Sequence, residues 1–316
     1  MMETIFRAMS TDVKVTVIDA LPSKNWADQV KKQFIEMEKI ASRFIADSEL
    51  SRWNASPIGE PYLLSEKFYN LLANAWHYAV QSDFKFNPFV GTVLNRIGYD
   101  RSFEKLERAE QEADRTSPIE KTQRDEAADL HTLSFLNDQL TVIKHKQVNV
   151  DLGGIGKGWT VDLVYRLLRD ELQSHTGVID AGGDMRVWSN GEPWQVGIQH
   201  PTNEEHELMQ LWVKQGGIAT SNIMHRRWMH FEHVYHHIID GQTLHVADSD
   251  IVQATVLASS TALAEVVSKV ICMLQASEVN EWVSSHFEGV GYIFMTKGGE
   301  IKLNREVKNY VEELRW

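Results

Sequence analysis

Cysteine is nearly missing from this 316-residue chain: Cys272 is the only one. A lone thiol forms neither an internal disulfide nor a multi-cysteine zinc site. Its setting, Val270-Ile271-Cys272-Met273-Leu274, reads as that of a small buried hydrophobe. Long apolar runs are missing too. No stretch of about 18 apolar residues occurs, so no membrane-spanning helix is expected. Residues 1–14, MMETIFRAMSTDVK, hold no apolar export segment and no cleavage site, which points to a cytoplasmic protein. Positive charge is in deficit: 32 Lys and Arg stand against 44 Asp and Glu, a net charge of −12. Nucleic acid and anionic membrane surfaces require clustered positive charge, so neither is expected as the main partner. A small anionic ligand stays open, because backbone N–H groups and one lysine can hold phosphate inside an acidic protein. Internal repeats and low-complexity linkers are also absent.

What is present is ordinary for a globular protein, with 43% hydrophobic and 24% charged residues. Such a chain buries a sizeable core without staples. Val13-Lys14-Val15-Thr16-Val17 alternates as a half-buried strand does. Trp26, Val30, Phe34, Met37, Ala41 and Phe44 recur at helical spacing, as do Phe68, Leu71, Leu72, Ala75, Trp76 and Ala79. Residues 104–126 carry 13 charges in 23 positions and read as a solvated insertion, with a partner surface as the alternative. Strand-like runs return from residue 132. They flank a helix carrying Val161, Val164, Leu168 and Leu172, and a hairpin signal at Asn190-Gly191. The region 208–257 reads as β throughout, and helices are expected at about 260–275 and 277–287. Antiparallel runs with helices between them indicate an α+β fold of mixed, largely antiparallel sheets. One unit over residues 1–316 is expected, with the insertion at about 104–126.

Three clusters could carry chemistry. The densest is Asp151-Leu-Gly-Gly-Ile-Gly-Lys-Gly-Trp-Thr160. Its glycines allow close backbone approach to a ligand, the following helix N-terminus offers N–H groups, and Lys157 adds a full charge. The alternative is a plain glycine turn before a helix. It is not a Walker A loop, since Gly158 follows Lys157, and Trp159 breaks the dinucleotide fingerprint. The second cluster is His225, His230, His233, His236, His237 and His245. It reads either as a zinc site or as histidines dispersed over a hairpin, since His230, His236 and His237 cannot all face one way along a strand. The third is Glu265 with Lys269. They lie opposite a stripe of Leu263, Val266, Val267, Val270, Ile271 and Leu274, and read on the helical wheel as an exposed ion pair.

In this order the segments resemble the ApbE-like family, the FAD:protein FMN transferases, over most of residues 5–275. The family's Met-Gly-Thr is similar to Met9-Ser10-Thr11. Its Ser-x-aromatic and Ser-Glu-Leu-Ser-Arg-x-Asn segments resemble Ser42-Arg43-Phe44 and Ser48 through Asn54. Its Asp-x-Thr-Val-Gly-Pro-Leu and Gly-Phe segments resemble Asn87 through Val93 and Gly98-Tyr99. The loop at 151–158, Gly182-Gly183-Asp184, Trp194 to Ile198, Ala219-Thr220-Ser221 and His237 to Asp240 match likewise. The resemblance implies an α+β fold with FAD held in a cleft. It also implies transfer of FMN from FAD to a Thr or Ser of an acceptor flavoprotein, or hydrolysis of FAD to FMN and AMP. It assigns Met9, Phe44, Asn87, Phe89, Asp151, Lys157 and Ile239 to flavin contacts, places His237 close to the chemistry, and implies Mg2+ held by Gly154 and Glu265.

The departures bear on the metal. The family's Ala-Asp-Ala-Leu-Ala-Thr supplies ligands through its Asp and Thr, and here reads Ala264-Glu265-Val266-Val267-Ser268-Lys269. Glu265 keeps a carboxylate, but the Lys269 ammonium offers donors only. We therefore expect Lys269, paired with Glu265 near Gly154, to stand in for the metal in part. Asn87, Phe89, Asn222, Met224, Gly241 and Leu244 depart as well. Two alternatives remain: a catalytically degenerate FAD-binding or sensing protein on the same fold, and a divergent protein binding another ligand or a metal through the histidines.

Overall fold

The alternation at residues 13–17 becomes the strand Thr11–Val17, whose Val13, Val15 and Val17 are fully buried. Helical spacing becomes the helices Trp26–Ala41 and Glu66–Gln81. Phe44 lies beyond the end of the first, because the chain turns after Ala41. A computed structural model describes residues 1–19, 23–106, 128–136, 139–230 and 233–316. Of the charged stretch expected at 104–126, residues 107–126 lie outside the described residues. The chain divides into two compact units, each assembled from separate segments: Met1–Glu38, Gly154–His225 and Asp248–Trp316 form the first, Lys39–Gly153 and Arg226–Ala247 the second.

The first unit is built on an eight-stranded sheet, ordered Met2–Ala8, Thr11–Val17, Thr176–Ala181, Asp184–Ser189, Gln215–Asn222, Ile251–Ala258, Gly291–Thr296 and Ile301–Leu303. Every neighbouring pair is antiparallel. Two of its hairpins turn through two residues. Met9-Ser10 links Ala8 to Thr11 with φ of 51° and 58°, and Gly182-Gly183 links Ala181 to Asp184 with φ of 68° and 90°. Such turns need left-handed backbone at both positions, which glycine adopts freely and Ser10 does not.

Helices Gly156–Arg166 and Thr261–Ile271 pack against each other at Gly158. A Cβ there would stand 2.6 Å from the Thr261 carbonyl oxygen. The amino end of the later helix is held from two sides. Ser260 Oγ accepts the Leu263 N–H, and the carboxylate of Asp162 accepts those of Thr261 and Ala262 at 3.0 and 2.9 Å. Burial pushes the Asp162 carboxyl up, against the pull of those amides and of Arg186. Val161, Val164 and Leu168 face one apolar core with Val13, Val15 and Phe34, as their spacing predicts.

The second unit combines the helices Glu49–Asn54, Glu66–Gln81 and Gly91–Arg96 with a three-stranded sheet of Pro61–Leu63, Thr141–Lys144 and Leu133–Leu136. Ser48 and Ser65 cap the first two helices through their hydroxyls. Lys144 is buried. Its ammonium donates to Asn54 O at 2.9 Å beside the Trp53 ring, and burial lowers its pKa. No described helix is long and apolar enough to cross a membrane.

Candidate functional site

In the first unit the glycine-rich segment opens the helix Gly156–Arg166. Ile155 at the cap position supplies no side-chain acceptor, so the exposed amide ends of this helix need acceptors from elsewhere. Glu265 supplies one: its Oε2 accepts the Gly158 N–H at 2.8 Å. Its Oε1 lies 3.3 Å from Lys157 Nζ, and the same ammonium is paired closely with Asp184. Both carboxylates are about 4% exposed at the side chain. Lys157 is thus clamped between two buried acids at the start of a helix. A third acid, Asp180, receives the Gly183 N–H at 2.8 Å. Burial pushes its carboxyl up, while the charges of Lys14 and Lys157 oppose that. The Met9 side chain comes up to Gly156, where a Cβ would meet its methyl at 3.8 Å.

Glu265 is therefore not the exposed residue that the helical wheel suggests. The face opposite the apolar stripe packs on Gly158, and burial follows from that second contact. Lys269, one turn on, is half-buried. Its charge acts on Cys272, whose thiol burial pushes up to about 12. That thiol is no nucleophile, in line with its reading as a buried hydrophobe.

In the second unit Arg43 is the organising side chain. Its guanidinium pairs with Asp151, donates to Asn95 Oδ1 at 2.8 Å and to Tyr99 O at 2.6 Å, and lies over the Phe44 ring at 4.2 Å and the Tyr99 ring at 4.9 Å. Tyr99 stacks on Trp228 at 5.2 Å, and Ile239 and Phe44 belong to the same apolar cluster. Burial pushes the Tyr99 phenol up. Asp151 also closes the start of the glycine segment, accepting the Gly153 N–H at 2.8 Å.

A second stitch joins residues 85–89 to 240–241. Asn87 Nδ2 donates to Gly241 O at 3.0 Å, its Oδ1 accepts the Phe89 N–H at 2.8 Å, and Lys85 pairs with Asp240 at 2.5 Å. Gly241 has no room for a side chain, since a Cβ would meet Phe84 O at 2.3 Å. This close approach accounts for glycine where the family pattern has proline. The Phe89 ring is buried against Trp76. Beside these, His237 is half-buried. Its neighbour His236 accepts the Ile238 N–H at Nδ1, so its Nε2 is left to donate to Ala247 O at 3.2 Å.

The expected site residues thus fall into two groups. Met9, Gly154, Lys157 and Glu265 belong to the first unit, and Phe44, Asn87, Phe89, Asp151, His237 and Ile239 to the second. Sequence reasoning missed Asp184, Arg43, Tyr99 and Trp228 as site residues. Asp184, Arg43 and Tyr99 sit inside motifs already read, next to the residues those motifs pointed to. Trp228 carried no such signal.

The histidines do not gather. His230 and His233 pair across a hairpin, His225 and His245 are exposed, and His236 is bonded inward. Among the described residues no group of three or more His, Cys, Asp or Glu could hold a metal ion, so the multi-histidine metal reading is dropped. The implied Mg2+ is not matched by this donor set either. Glu265 already holds an amide and an ammonium, Asp184 shares that ammonium, and Ser268 Oγ is bonded to Glu265 O and Ser221 Oγ. The Lys269 position offers no oxygen.

Comparison with known proteins agrees with the sequence reading. A sequence profile of the ApbE family matches residues 9–294. The FAD:protein FMN transferase of Escherichia coli (strain K12) is 25% identical over 289 residues, covering 90% of this chain and 80% of that relative. The FAD:protein FMN transferase of Treponema pallidum (strain Nichols) is 24% identical over 297 residues, covering 88% and 79%. Two solved structures share the fold. They are the ApbE protein of Thermotoga maritima, with a TM-score of 0.80 at 22% identity over 99% of both chains, and the flavin transferase ApbE of Vibrio cholerae, with 0.77 at 20% over 98% and 99%. The expected α+β architecture is thereby shown.

Proposed function

The chain belongs to the ApbE family, and from that premise we propose that it is an FAD:protein FMN transferase. The acceptor is a Thr or Ser hydroxyl of a partner flavoprotein. Its oxygen attacks the phosphorus on the FMN side of the FAD diphosphate, the bond to the bridging oxygen breaks, and AMP leaves with that oxygen. The hydroxyl proton passes to the His237 imidazole. With water as acceptor the same displacement yields FMN and AMP.

One observation carries the reading: Lys157 is fixed by Asp184 and Glu265 at the amino end of the helix Gly156–Arg166. An ammonium beside helix N–H groups can turn on its flexible stem toward a bound diphosphate and stabilise the charge that builds on its oxygens. Met9 stands beside Lys157 in the first unit, through its approach to Gly156. In the second unit Phe44 and Ile239 share an apolar wall, which Asn87 and Phe89 brace through their contacts with Gly241 and Trp76. When bound, Mg2+ would neutralise diphosphate charge through Gly154 and Glu265. The donor set described above speaks against it, and no step is assigned to it.

A second reading is an FAD-binding protein that turns over slowly or not at all. Its support is that Lys157 is already saturated by two carboxylates. Mixing the purified chain with FAD and following AMP and FMN release, with and without an acceptor flavoprotein, separates the two. AMP release with FMN on the acceptor supports transfer. A yellow protein that releases no AMP supports binding alone, and a protein that neither colours nor gains thermal stability with FAD overturns both.

A further inference from the structure

We propose that this site operates without a divalent cation, its two lysines, Lys157 and Lys269, supplying the positive charge instead. The inference rests on the flavin reading above and deepens it.

Both oxygens of Glu265 have partners within the protein, Oε2 the Gly158 N–H at 2.8 Å and Oε1 the Lys157 ammonium at 3.3 Å. Each oxygen keeps a second lone pair, but an ion on Oε1 would sit against the Lys157 ammonium, and an ion on Oε2 would compete with the Gly158 N–H in a buried setting. Displacing the amide would leave a helix-end N–H buried and unsatisfied. Asp184, the other acid within reach, shares the same ammonium. The next position on this helix face, one turn after Glu265, is Lys269. Residues four apart on a helix stand about 5–6 Å apart at Cβ, so its charge stays close to Glu265 and disfavours a second cation there.

Positive charge is already in place. The two buried carboxylates, Asp184 and Glu265, share the Lys157 ammonium, and Lys269 adds a second positive charge one turn after Glu265 on the same helix. The nearby Asp180, which burial favours in its neutral form, is faced by Lys14 as well as Lys157. A divalent ion gains most where carboxylates are in excess and oxygen donors are open; here Lys157 and Lys269 offset the charge of Asp184 and Glu265, and both Glu265 oxygens already have partners. A diphosphate, by contrast, meets a cluster whose lysines can pivot toward it, because each ammonium has three donors and a flexible stem.

The test uses the whole 316-residue chain. Mn2+ is titrated into the FAD-free chain by calorimetry, and thermal unfolding is followed in EDTA and in millimolar Mg2+. FAD affinity and AMP release are then measured under the same two conditions. The expectation is no saturable Mn2+ binding, and FAD affinity and AMP release that agree within about twofold between EDTA and Mg2+. Saturable Mn2+ binding, or a gain of about tenfold or more with Mg2+ in either FAD affinity or AMP release, overturns the proposal.

The double variant Glu265→Asp with Lys269→Thr restores the family's ligand pattern. It is expected to acquire Mn2+ binding and a Mg2+-dependent rise in unfolding temperature. A folded double variant with no metal response overturns the proposal from the other side, and if that variant fails to fold the wild-type titration decides alone. A chain that binds no FAD under any condition defeats the flavin reading, and the Mn2+ titration still judges the cation question separately.

Discussion

The two units each bury a cation beside a carboxylate, and they do so differently. In the first, the Lys157 ammonium is a point charge shared by two acids, Asp184 and Glu265. In the second, the Arg43 guanidinium is a plane. It pairs with one acid, Asp151, spends two further donors on Asn95 and Tyr99 O, and is faced by the rings of Phe44 and Tyr99. A lysine can swing from one anion to another without losing its geometry, whereas a stacked arginine with three fixed partners cannot. The first arrangement suits a charge that answers to a ligand, the second one that shapes a wall.

The comparison can be broken most severely through the backbone around Lys157. Gly158→Ala places a methyl 2.6 Å from Thr261 O and forces apart the two helices that carry Lys157 and Glu265. A loss of about 3 kcal/mol or more is expected in urea unfolding. Gly183→Ala, in the turn before Asp184, meets no neighbour but has a φ of 90°, and costs about 1–2 kcal/mol. Equal losses in the two variants would show that helix contact is not what Gly158 provides.

Next comes Lys157→Met, which removes the one ammonium that Asp184 and Glu265 share and should cost about 3 kcal/mol. FAD binding should fall with it, which fluorescence titration checks. Arg43→Lys in the second unit keeps the charge but loses the stack and the fork, for about 1–2 kcal/mol. If that change proves neutral, the distinction between the two cations has no energetic content.

The acids give a pH test. Burial pushes the carboxyls of both Asp162 and Asp180 above the ordinary aspartate value of 3.8. The folded state therefore binds their protons more tightly than the unfolded chain does, and these two groups make stability fall as pH rises from 3.8 through their folded pKa values. Asp180→Asn should flatten this part of the profile of unfolding temperature against pH. A slope unchanged by that substitution would remove Asp180 from the account.

The smallest effect is expected at the Met9-Ser10 turn. Ser10 holds φ at 58°, and Ser10→Gly should stabilise the protein by about 0.5–1 kcal/mol, read as a raised unfolding temperature.

Much of the molecule is legible locally. Val13-Lys14-Val15-Thr16-Val17 alternates because one face is buried. Phe68, Leu71, Leu72, Ala75 and Ala79 repeat because a single stripe of their helix meets the core, and all five are buried. Phe44 broke the rule: it continued the helical spacing of Trp26 to Ala41 but lies past the helix end, and its ring is kept in the cluster by Arg43 and Tyr99. Glu265 broke it in the opposite sense. A hydrophobicity wheel sends a carboxylate to water, and it has no means of registering that a glycine on another helix opens space for a second packed face. Asn87 and Gly241 likewise show their purpose only together, one amide bonding the other's carbonyl where no Cβ fits.

The sequence by itself determined the secondary-structure periods, the glycine segment with its lysine, and the family resemblance, because each is written in neighbouring residues. The tertiary structure alone decided which charges meet. Arg43 lies 108 positions from Asp151, and Lys157 lies 108 positions from Glu265. No local period reports a partner that distant. Only the folded chain brings these groups together, and only burial makes their pairing obligatory.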